Sequence, residues 1–304
     1  MEKIIEVKNL KKSYGDIKAV KDVSFYVETG KLFAFLGPNG AGKSTTIDML
    51  CTLLPLDVGE VTICGNVLGS ENDEIRKNIG VVFQHSVLDT LLTVRENLTY
   101  RAGFYYKSAR EAAQAVRNAA AVTDIMGFID RPYGRLSGGQ KRRADIARAL
   151  VSTPKILFLD EPTTGLDPQT RKNVWNLIQN LKQEKGMTVF LTTHYMEEAA
   201  GSDYVVVIDE GEIAAKGTPA ELKSQYAQDL LRFSTRDEEA LHAALGKSGH
   251  EFQTDSGRVA VRLPSTMSAL PILDLCREYI SGFEVIQGTM DDAFLQITGK
   301  EMRE

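Results

Sequence analysis

The fold of this chain is decided by the stretch Gly37-Pro38-Asn39-Gly40-Ala41-Gly42-Lys43-Ser44. The stretch fits the pattern G-x-x-x-x-G-K-[ST] at every fixed position. The apolar run 32–36 precedes it and predicts a buried strand, and residues 44–54 follow it with the spacing of a helix. A glycine-rich loop between a buried strand and a helix is typical of a phosphate-binding loop. The sequence therefore predicts an α/β fold built around a nucleotide.

The residue types in this loop fit that chemistry. Glycines allow successive backbone N–H groups to point at phosphate oxygens, and the following helix adds its positive N-terminal dipole. Lys43 supplies a positive charge for the β- and γ-phosphates, and the hydroxyl of Ser44 is a ligand for Mg²⁺. Thr45 is placed for the α-phosphate. We therefore expect the chain to bind ATP together with Mg²⁺.

A second apolar run ends in two carboxylates. Residues 156–159 predict a buried strand, followed by Asp160 and Glu161. A carboxylate at this strand end can hold Mg²⁺ through water, which is the role expected for Asp160. Glu161 is then placed to act as general base for an attacking water, a role typically worth about 10²- to 10⁴-fold in rate. Together the two motifs predict ATP hydrolysis.

A further glycine pair lies between these motifs, in Leu136-Ser137-Gly138-Gly139-Gln140. The segment can be read simply as a helix N-cap after a loop. It can also be an anion site, because a hydroxyl and free N–H groups at a helix start attract phosphate. One nucleotide does not need two such sites in one subunit. A second subunit facing the first in reverse would use both.

With these residues the chain resembles the nucleotide-binding subunit of an ATP-binding cassette (ABC) transporter over about 4–222. The resemblance implies that Tyr14 stacks on adenine and that Gln84 touches Mg²⁺ and senses the membrane partner. It also implies that the loop containing Asp167 crosses the dimer interface and that His194 contacts the γ-phosphate. The catalytic residues would then be Glu161, His194 and Gln84, and the metal-binding residues would be Ser44, Gln84 and Asp160.

Other stretches resemble the exporter branch that includes antibiotic-resistance and sodium-extrusion cassettes. These are the segments 162–168, 192–199 and 290–299. The resemblance implies separately encoded transmembrane permease subunits, a working unit with two cassettes, either identical or different, and a location on the cytoplasmic face of the cell membrane. The cargo binds elsewhere, so drug export is an analogy only.

The resemblance and the strand pattern together predict the domain organisation. Residues 1–222 are expected to form a P-loop NTPase domain of ABC type, with a parallel-sheet core, an antiparallel β subdomain and a helical subdomain at about 88–152. Residues 223–304 are expected to form a small α+β accessory domain, because their β-α-β-β-α-β order suggests a ferredoxin-like fold. Regulation, or contact between the two cassettes, is its expected role.

Composition limits the class of protein. The net charge of -5 argues against a nucleic-acid partner, since binding to phosphate backbones rewards clustered Lys and Arg. The basic cluster 141–143 is expected to be a solvated helix face. No stretch approaches the roughly 18 apolar residues of a membrane-spanning helix, and three scattered cysteines suggest reduced thiols in the cytoplasm.

Two alternatives remain open at this point. A soluble ABC-type ATPase acting on ribosomes or DNA is the first, although such proteins carry two cassettes in one chain or a long coiled coil, and neither feature is present. A nucleotide-sensing regulatory module is the second, and the intact Glu161 and His194 speak against it.

Overall fold

The computed structural model describes residues 2–255 and 258–299. The chain divides into two compact units, Met1–Thr218 and Pro219–Glu304. In the first unit the strands and helices are, in chain order, β1 Lys3–Tyr14, β2 Ile17–Glu28, β3 Leu32–Leu36, α1 Lys43–Leu50, β4 Val58–Ile63, β5 Asn66–Val67, α2 Asn72–Asn78, β6 Ile79–Val82, α3 Val94–Ala102, α4 Ala109–Val122, α5 Gly138–Leu150, β7 Ile156–Asp160, α6 Pro168–Lys185, β8 Thr188–Thr193, α7 Met196–Ala200, β9 Tyr204–Asp209 and β10 Glu212–Gly217.

The central sheet has the strand order β10-β9-β3-β8-β7-β6 among the described residues. Its pairings are parallel except that of β10 with β9. The inner strands β3, β7 and β8 are buried along their whole length. Their mostly apolar sequences fit this, because a parallel strand that is covered on both faces needs no polar alternation.

The register brings the carboxyl ends of the parallel strands to one edge of the sheet. Leu36 of β3 lies opposite Thr193 of β8, and Asp160 of β7 lies opposite Thr192. The loop after β3, the segment after β6, the residue after β7 and the loop after β8 therefore leave the sheet side by side. Ligands in such sheets bind beyond these carboxyl ends.

A second, antiparallel sheet with the order β2-β1-β4-β5 packs against the first. Aromatic rings fill the space between the sheets. Phe25 of β2 stacks on Phe33 of β3 with ring centroids 5.3 Å apart, and Phe33 stacks on Phe190 of β8 at 5.0 Å. Rings of this size bury a large apolar area, which fixes β3 and β8 at the base of the phosphate loop.

The helices α3, α4 and α5 pack on one another between β6 and β7 in sequence. One side of α4 is buried through small residues at helical spacing, namely Ala112, Ala115, Val116, Ala119 and Ala120. By contrast, the helix predicted over 44–54 is shorter than expected. It ends at Leu50 because Thr52 adopts a left-handed backbone with φ of 62°.

The second unit is described on its own. Its elements are α8 Pro219–Tyr226, β11 Asp229–Thr235, α9 Glu238–Lys247, β12 Phe252–Asp255, β13 Arg258–Leu263, α10 Ala269–Cys276, β14 Ile280–Ile286 and α11 Met290–Thr298. An antiparallel sheet has the order β12-β13-β11-β14, and α9 and α10 pack on one side of it. A 3-10 turn at Thr266–Ser268 precedes α10, which ends at Cys276.

Candidate nucleotide site

The phosphate loop runs from β3 to α1, and the backbone at Ala19 packs closely against it. Gly42 has a φ of 100°, and a Cβ added there would lie 2.5 Å from the carbonyl oxygen of Ala19. Only glycine adopts this conformation in that space without strain. Gly42 is the N-cap residue of α1, and among the described residues the helix has no side-chain cap hydrogen bond and no acidic residue in its first turn. The N-terminal N–H groups of α1 can therefore bind an anion.

Lys43 is buried at the start of α1, with 5% of the residue exposed. Its Nζ donates to the carbonyl oxygens of Gly37 at 2.8 Å and Pro38 at 3.1 Å, and lies 3.5 Å from Oε1 of Glu161. Burial lowers the pKa of the Lys43 ammonium, while the charge of Glu161 opposes that shift. The buried ammonium of Lys43 is therefore bound by carbonyl groups of the loop itself.

Glu161 is also contacted by two other predicted site residues, Gln84 and His194, and by Thr164. Nε2 of Gln84 donates to Oε2 of Glu161 at 3.1 Å, and the hydroxyl of Thr164 donates to the same oxygen at 3.2 Å. Nδ1 of His194 lies 3.5 Å from Oε1. Lys43, Gln84 and His194 come from three different strand ends, so the structure gathers them around one carboxylate.

The backbone at Glu161 is strained. Its φ of 43° lies in the left-handed region, which costs a non-glycine residue about 1–3 kcal/mol. The amide of Glu161 donates to Oγ1 of Thr192 at 3.0 Å, and that hydroxyl donates to Oδ1 of Asp160 at 2.5 Å. The two neighbouring carboxylates are thus aimed differently: Asp160 towards β8 and Glu161 towards the phosphate loop.

The neighbours of Glu161 make its carboxyl unusually acidic. The imidazole of His194, and after it the charge of Lys43 and the hydroxyl of Thr164, lower the pKa of Glu161 to about 2. Partial burial acts in the opposite direction but is outweighed. Glu161 is therefore a weak base in this arrangement, and its basicity depends first on His194 and then on Lys43.

This shift predicts a pH dependence of stability. The pKa of Glu161 is about 2 in the folded chain against an ordinary 4.5, so its ionised form contributes about 3 kcal/mol. The contribution is fully present above pH 4.5 and is lost as the pH falls towards 2. Urea unfolding should give wild type and Glu161→Gln a constant difference in free energy of unfolding between about pH 7 and 5, which shrinks below 4.5. A difference that already shrinks near pH 6 would contradict this account.

The orientation of His194 depends on two residues that the sequence did not single out. Its ring centroid lies 4.1 Å from that of Tyr195, and the guanidinium carbon of Arg171 lies 3.8 Å from the Tyr195 ring centroid. Within the described residues Nδ1 of His194 is buried and makes no hydrogen bond. Contact with the tilted ring of Tyr195 therefore orients the imidazole. The sequence carried no signal for this, because Arg171 and Tyr195 meet only in the fold.

The segment 136–140 begins α5. Ser137 is its N-cap: Oγ accepts from the amide of Gln140 at 3.4 Å, and the side chain of Gln140 accepts from the amide of Ser137 at 3.1 Å. A Cβ added at Gly139 would lie 2.3 Å from Cγ2 of Thr170, so glycine here lets α5 approach α6. The N-cap interpretation accordingly holds. No hydrogen bond in the described residues joins Ser137 or Gln140 to Lys43.

The remaining predicted site residues lie at the rim. Tyr14 ends β1 and is 49% exposed, Ser44 is exposed in the first turn of α1, and Thr45 is half-buried. Asp167 is exposed and caps α6, accepting from the amide of Thr170 at 3.0 Å. Its pKa is lowered by hydrogen bonds from Thr170.

The predicted solvated face at 141–143 is wrong in one position. Arg142 is 7% exposed and lies inside the unit, whereas Lys141 and Arg143 are half-buried. The helix period explains the difference, since neighbouring residues on α5 point about 100° apart. Arg143 pairs with Oδ2 of Asp124 at 2.9 Å, and Arg142 reaches the strand ends.

The described part of the chain contains no helix that is both long and apolar enough to span a membrane. Its three cysteines, Cys51, Cys64 and Cys276, are free thiols within the same residues.

Comparison with known proteins gives consistent findings. The ABC transporter family model matches residues 20–164. The chain is 39% identical to the daunorubicin/doxorubicin resistance ATP-binding protein DrrA of Streptomyces peucetius, over 97% of this chain and 92% of the relative. It is 36% identical to a Nod factor export ATP-binding protein I of Burkholderia orbicola, over 99% and 98%.

The fold also matches a solved structure. This is a dimeric, post-hydrolysis state of the ATP-binding cassette MJ0796 bound to ADP and Pi. The TM-score is 0.64 with 31% sequence identity, covering 70% of this chain and 98% of the other.

Proposed function

Because the chain belongs to the ABC transporter family, we propose that two cassettes close head to tail around ATP and complete each other's sites. The chain is an ATP-binding and ATP-hydrolysing subunit of an ABC exporter, and the predicted fold class, ATPase activity and exporter function are confirmed. Subunits of this kind pair with transmembrane subunits and dimerise. A soluble ATPase acting on ribosomes or DNA is not favoured, since the relatives that match nearly end to end are export and resistance proteins.

The observation that carries the proposed mechanism is the convergence of Lys43, Gln84 and His194 on the Glu161 carboxylate. Glu161 acts as general base: one carboxylate oxygen accepts a proton from water, whose oxygen bonds to the γ-phosphorus as the bond to ADP breaks. Gln84 and His194 orient this carboxylate. Preorganised groups of this kind act where charge develops in the transition state.

The position of Lys43 switches Glu161 from resting to active. In the structure Lys43 lies beside Glu161 and helps to hold its pKa low. When the ammonium pairs with nucleotide phosphates, the carboxylate loses part of that stabilisation and gains negative neighbours. Both changes raise the pKa of Glu161 and so strengthen it as a base at neutral pH. Turnover is thereby coupled to an occupied phosphate loop.

The donor set fits Mg²⁺, which prefers oxygen ligands and is usually held by one or two carboxylates and substrate phosphates. Ser44 offers a hydroxyl, Asp160 a carboxylate acting through water, and Gln84 an amide oxygen. The ion would neutralise phosphate charge during transfer. Of these residues, Asp160 is already oriented by Thr192.

The remaining motifs serve the nucleotide and the second cassette. Tyr14 stacks on adenine, and Thr45 and the N-terminus of α1 bind phosphate. The segment 136–140 covers the γ-phosphate of the partner's nucleotide, using the Ser137 hydroxyl and the dipole of α5. Asp167 lies in the loop that meets the second cassette. The dimeric relative bound to ADP and Pi supports this arrangement.

The partners are separately encoded permease subunits, which place the chain on the cytoplasmic face of the membrane. The segment after Gln84 supports such contact, since Val87 and Leu91 are 59% and 86% exposed. Residues 219–304 form an accessory unit that regulates the ATPase or contacts the second cassette.

A pull-down from detergent-solubilised membranes tests this function. A tagged chain should co-isolate a polypeptide with several transmembrane spans, and adding that polypeptide should raise the ATPase rate of the chain. The same preparation with Glu161→Gln should stay inactive. Isolation of ribosomes or DNA in place of a membrane protein would contradict the proposal.

A further inference from the structure

Arg142 makes an unusual set of contacts from the buried side of α5. Its Nε donates to the carbonyl oxygen of Pro162 at 2.5 Å, and Nη2 donates to those of Glu161 at 2.6 Å and Asp160 at 3.3 Å. Its Nη1 donates to the carbonyl oxygen of Phe83 at 2.6 Å. One guanidinium thus binds three successive carbonyl groups at the end of β7 and the carbonyl group just before Gln84.

The first group of contacts supports the strained peptide of Glu161. The backbone there is left-handed, with a φ of 43°. Thr192 accepts from the Glu161 amide, while Arg142 donates to its carbonyl oxygen. A conformation of this kind persists only where the surroundings over-determine it. Arg142 therefore contributes to aiming the Glu161 carboxylate at the phosphate loop.

The second group of contacts secures both flanks of Gln84. Arg142 binds the peptide before it, at Phe83. Ser86, two residues after it, donates from Oγ to Oδ1 of Asp145 at 2.6 Å. Asp145 lies on the next turn of α5 and also accepts from the hydroxyl of Tyr133 at 3.2 Å. The segment around Gln84 is thus fastened to α5 on both sides.

Keeping this charge inside the unit is energetically unfavourable. Burial lowers the pKa of Arg142 and raises that of Asp145. Buried charges are weak contributors to stability, and apolar residues of similar volume often serve stability better. A planar fork of donors, however, fixes several carbonyl groups in one geometry. The arrangement suits orientation of the site more than stability.

We propose that Arg142 is a positioning residue that joins the start of α5 to the hydrolytic groups of the same chain. Arg142 lies two residues after Gln140, so its hydrogen bonds link the helix that starts at segment 136–140 to the backbone at Gln84 and Glu161. On the proposed two-cassette function, on which this inference rests, segment 136–140 touches the partner's nucleotide. Each chain then senses the nucleotide on its partner through Arg142 and aligns its own base in response.

Arg142→Gln in the full-length chain tests this inference, with Arg143→Gln as matched control on the same helix. Misplacing a catalytic group by about 1 Å can cost about 100-fold. We expect kcat per nucleotide-binding chain to fall by about 10- to 100-fold in Arg142→Gln, with ATP affinity changed by less than about twofold. Arg143→Gln should retain wild-type kcat. If Arg142→Gln fails to fold, Arg142→Lys, which keeps the charge but not the fork, should show a smaller loss of kcat.

A double-mutant cycle separates positioning from structural support. If Arg142 acts through Glu161, Arg142→Gln should lower turnover much less in a Glu161→Gln background than in wild type, because residues acting as a unit are non-additive. Additive losses, unchanged kcat, or ATP affinity lost in parallel with the melting temperature would each overturn the inference. A wild-type chain without ATPase activity would instead refute the proposed function.

Discussion

Glu161→Gln should lower ATP turnover by about 10²- to 10⁴-fold while ATP binding is retained, because the variant loses only the general base. Glutamine has nearly the shape of glutamate and can still accept from Gln84 and Thr164. It cannot accept a proton from water. It also removes the carboxylate that competes for Lys43 at 3.5 Å, so ATP should bind at least as tightly as in wild type. Turnover and equilibrium binding measured on the same preparation check both parts.

A suitable control is Glu197→Gln, which changes an exposed glutamate in α7, close to His194 in sequence. It should leave turnover unchanged. Because hydrolysis reopens the proposed dimer, Glu161→Gln with ATP should also remain dimeric. Normal turnover in Glu161→Gln would remove Glu161 as the base.

Lys43→Ala should weaken ATP binding by about 100-fold or more, since loss of one or two hydrogen bonds to charged groups amounts to about 3 kcal/mol. Lys43 is the one charged residue in the loop sequence 37–44, and the proposed mechanism pairs its ammonium with the phosphates. Its removal also leaves Glu161 beside the γ-phosphate without a neutralising neighbour. Both effects act against ATP, and fluorescence titration with a nucleotide analogue measures them together.

Two further variants serve as comparisons for the ATP affinity of Lys43→Ala. Lys172→Ala removes an exposed lysine of α6 and should bind ATP as wild type does. Ser137→Arg places a bulky charge at the start of α5, so a single chain should still bind ATP while turnover is lost. Unchanged affinity in Lys43→Ala would refute the assignment of the phosphate loop.

The sequence predicted the parts of the site that follow from strand ends. Lys43, Gln84, Glu161 and His194 each follow an apolar run, and parallel strands deliver such residues to one edge. The helical start at Ser137 was also foreseeable, since serine followed by glutamine three residues later is a capping box.

The sequence could not show what lies between these residues. Arg142 reads as part of a basic cluster, and its acceptors are backbone carbonyls up to 59 residues away in the chain. Every residue has a backbone carbonyl, so the sequence does not indicate which carbonyl groups Arg142 binds. The contact of Arg171 with the Tyr195 ring cannot be predicted from the sequence either. The low pKa of Glu161 likewise depends on distances, which residue types alone do not supply.

The central claim is that each ATP site is completed by a second chain, and mixing two inactive variants tests it most directly. One chain carries Lys43→Ala and the other Ser137→Arg, so each alone should be inactive. In a mixed dimer the intact phosphate loop of the second faces the intact segment 136–140 of the first. With random pairing about a quarter of all sites are whole, and the mixture should recover ATPase activity in about that proportion. A mixture as inactive as its two components, at concentrations where wild type turns over, would contradict the account.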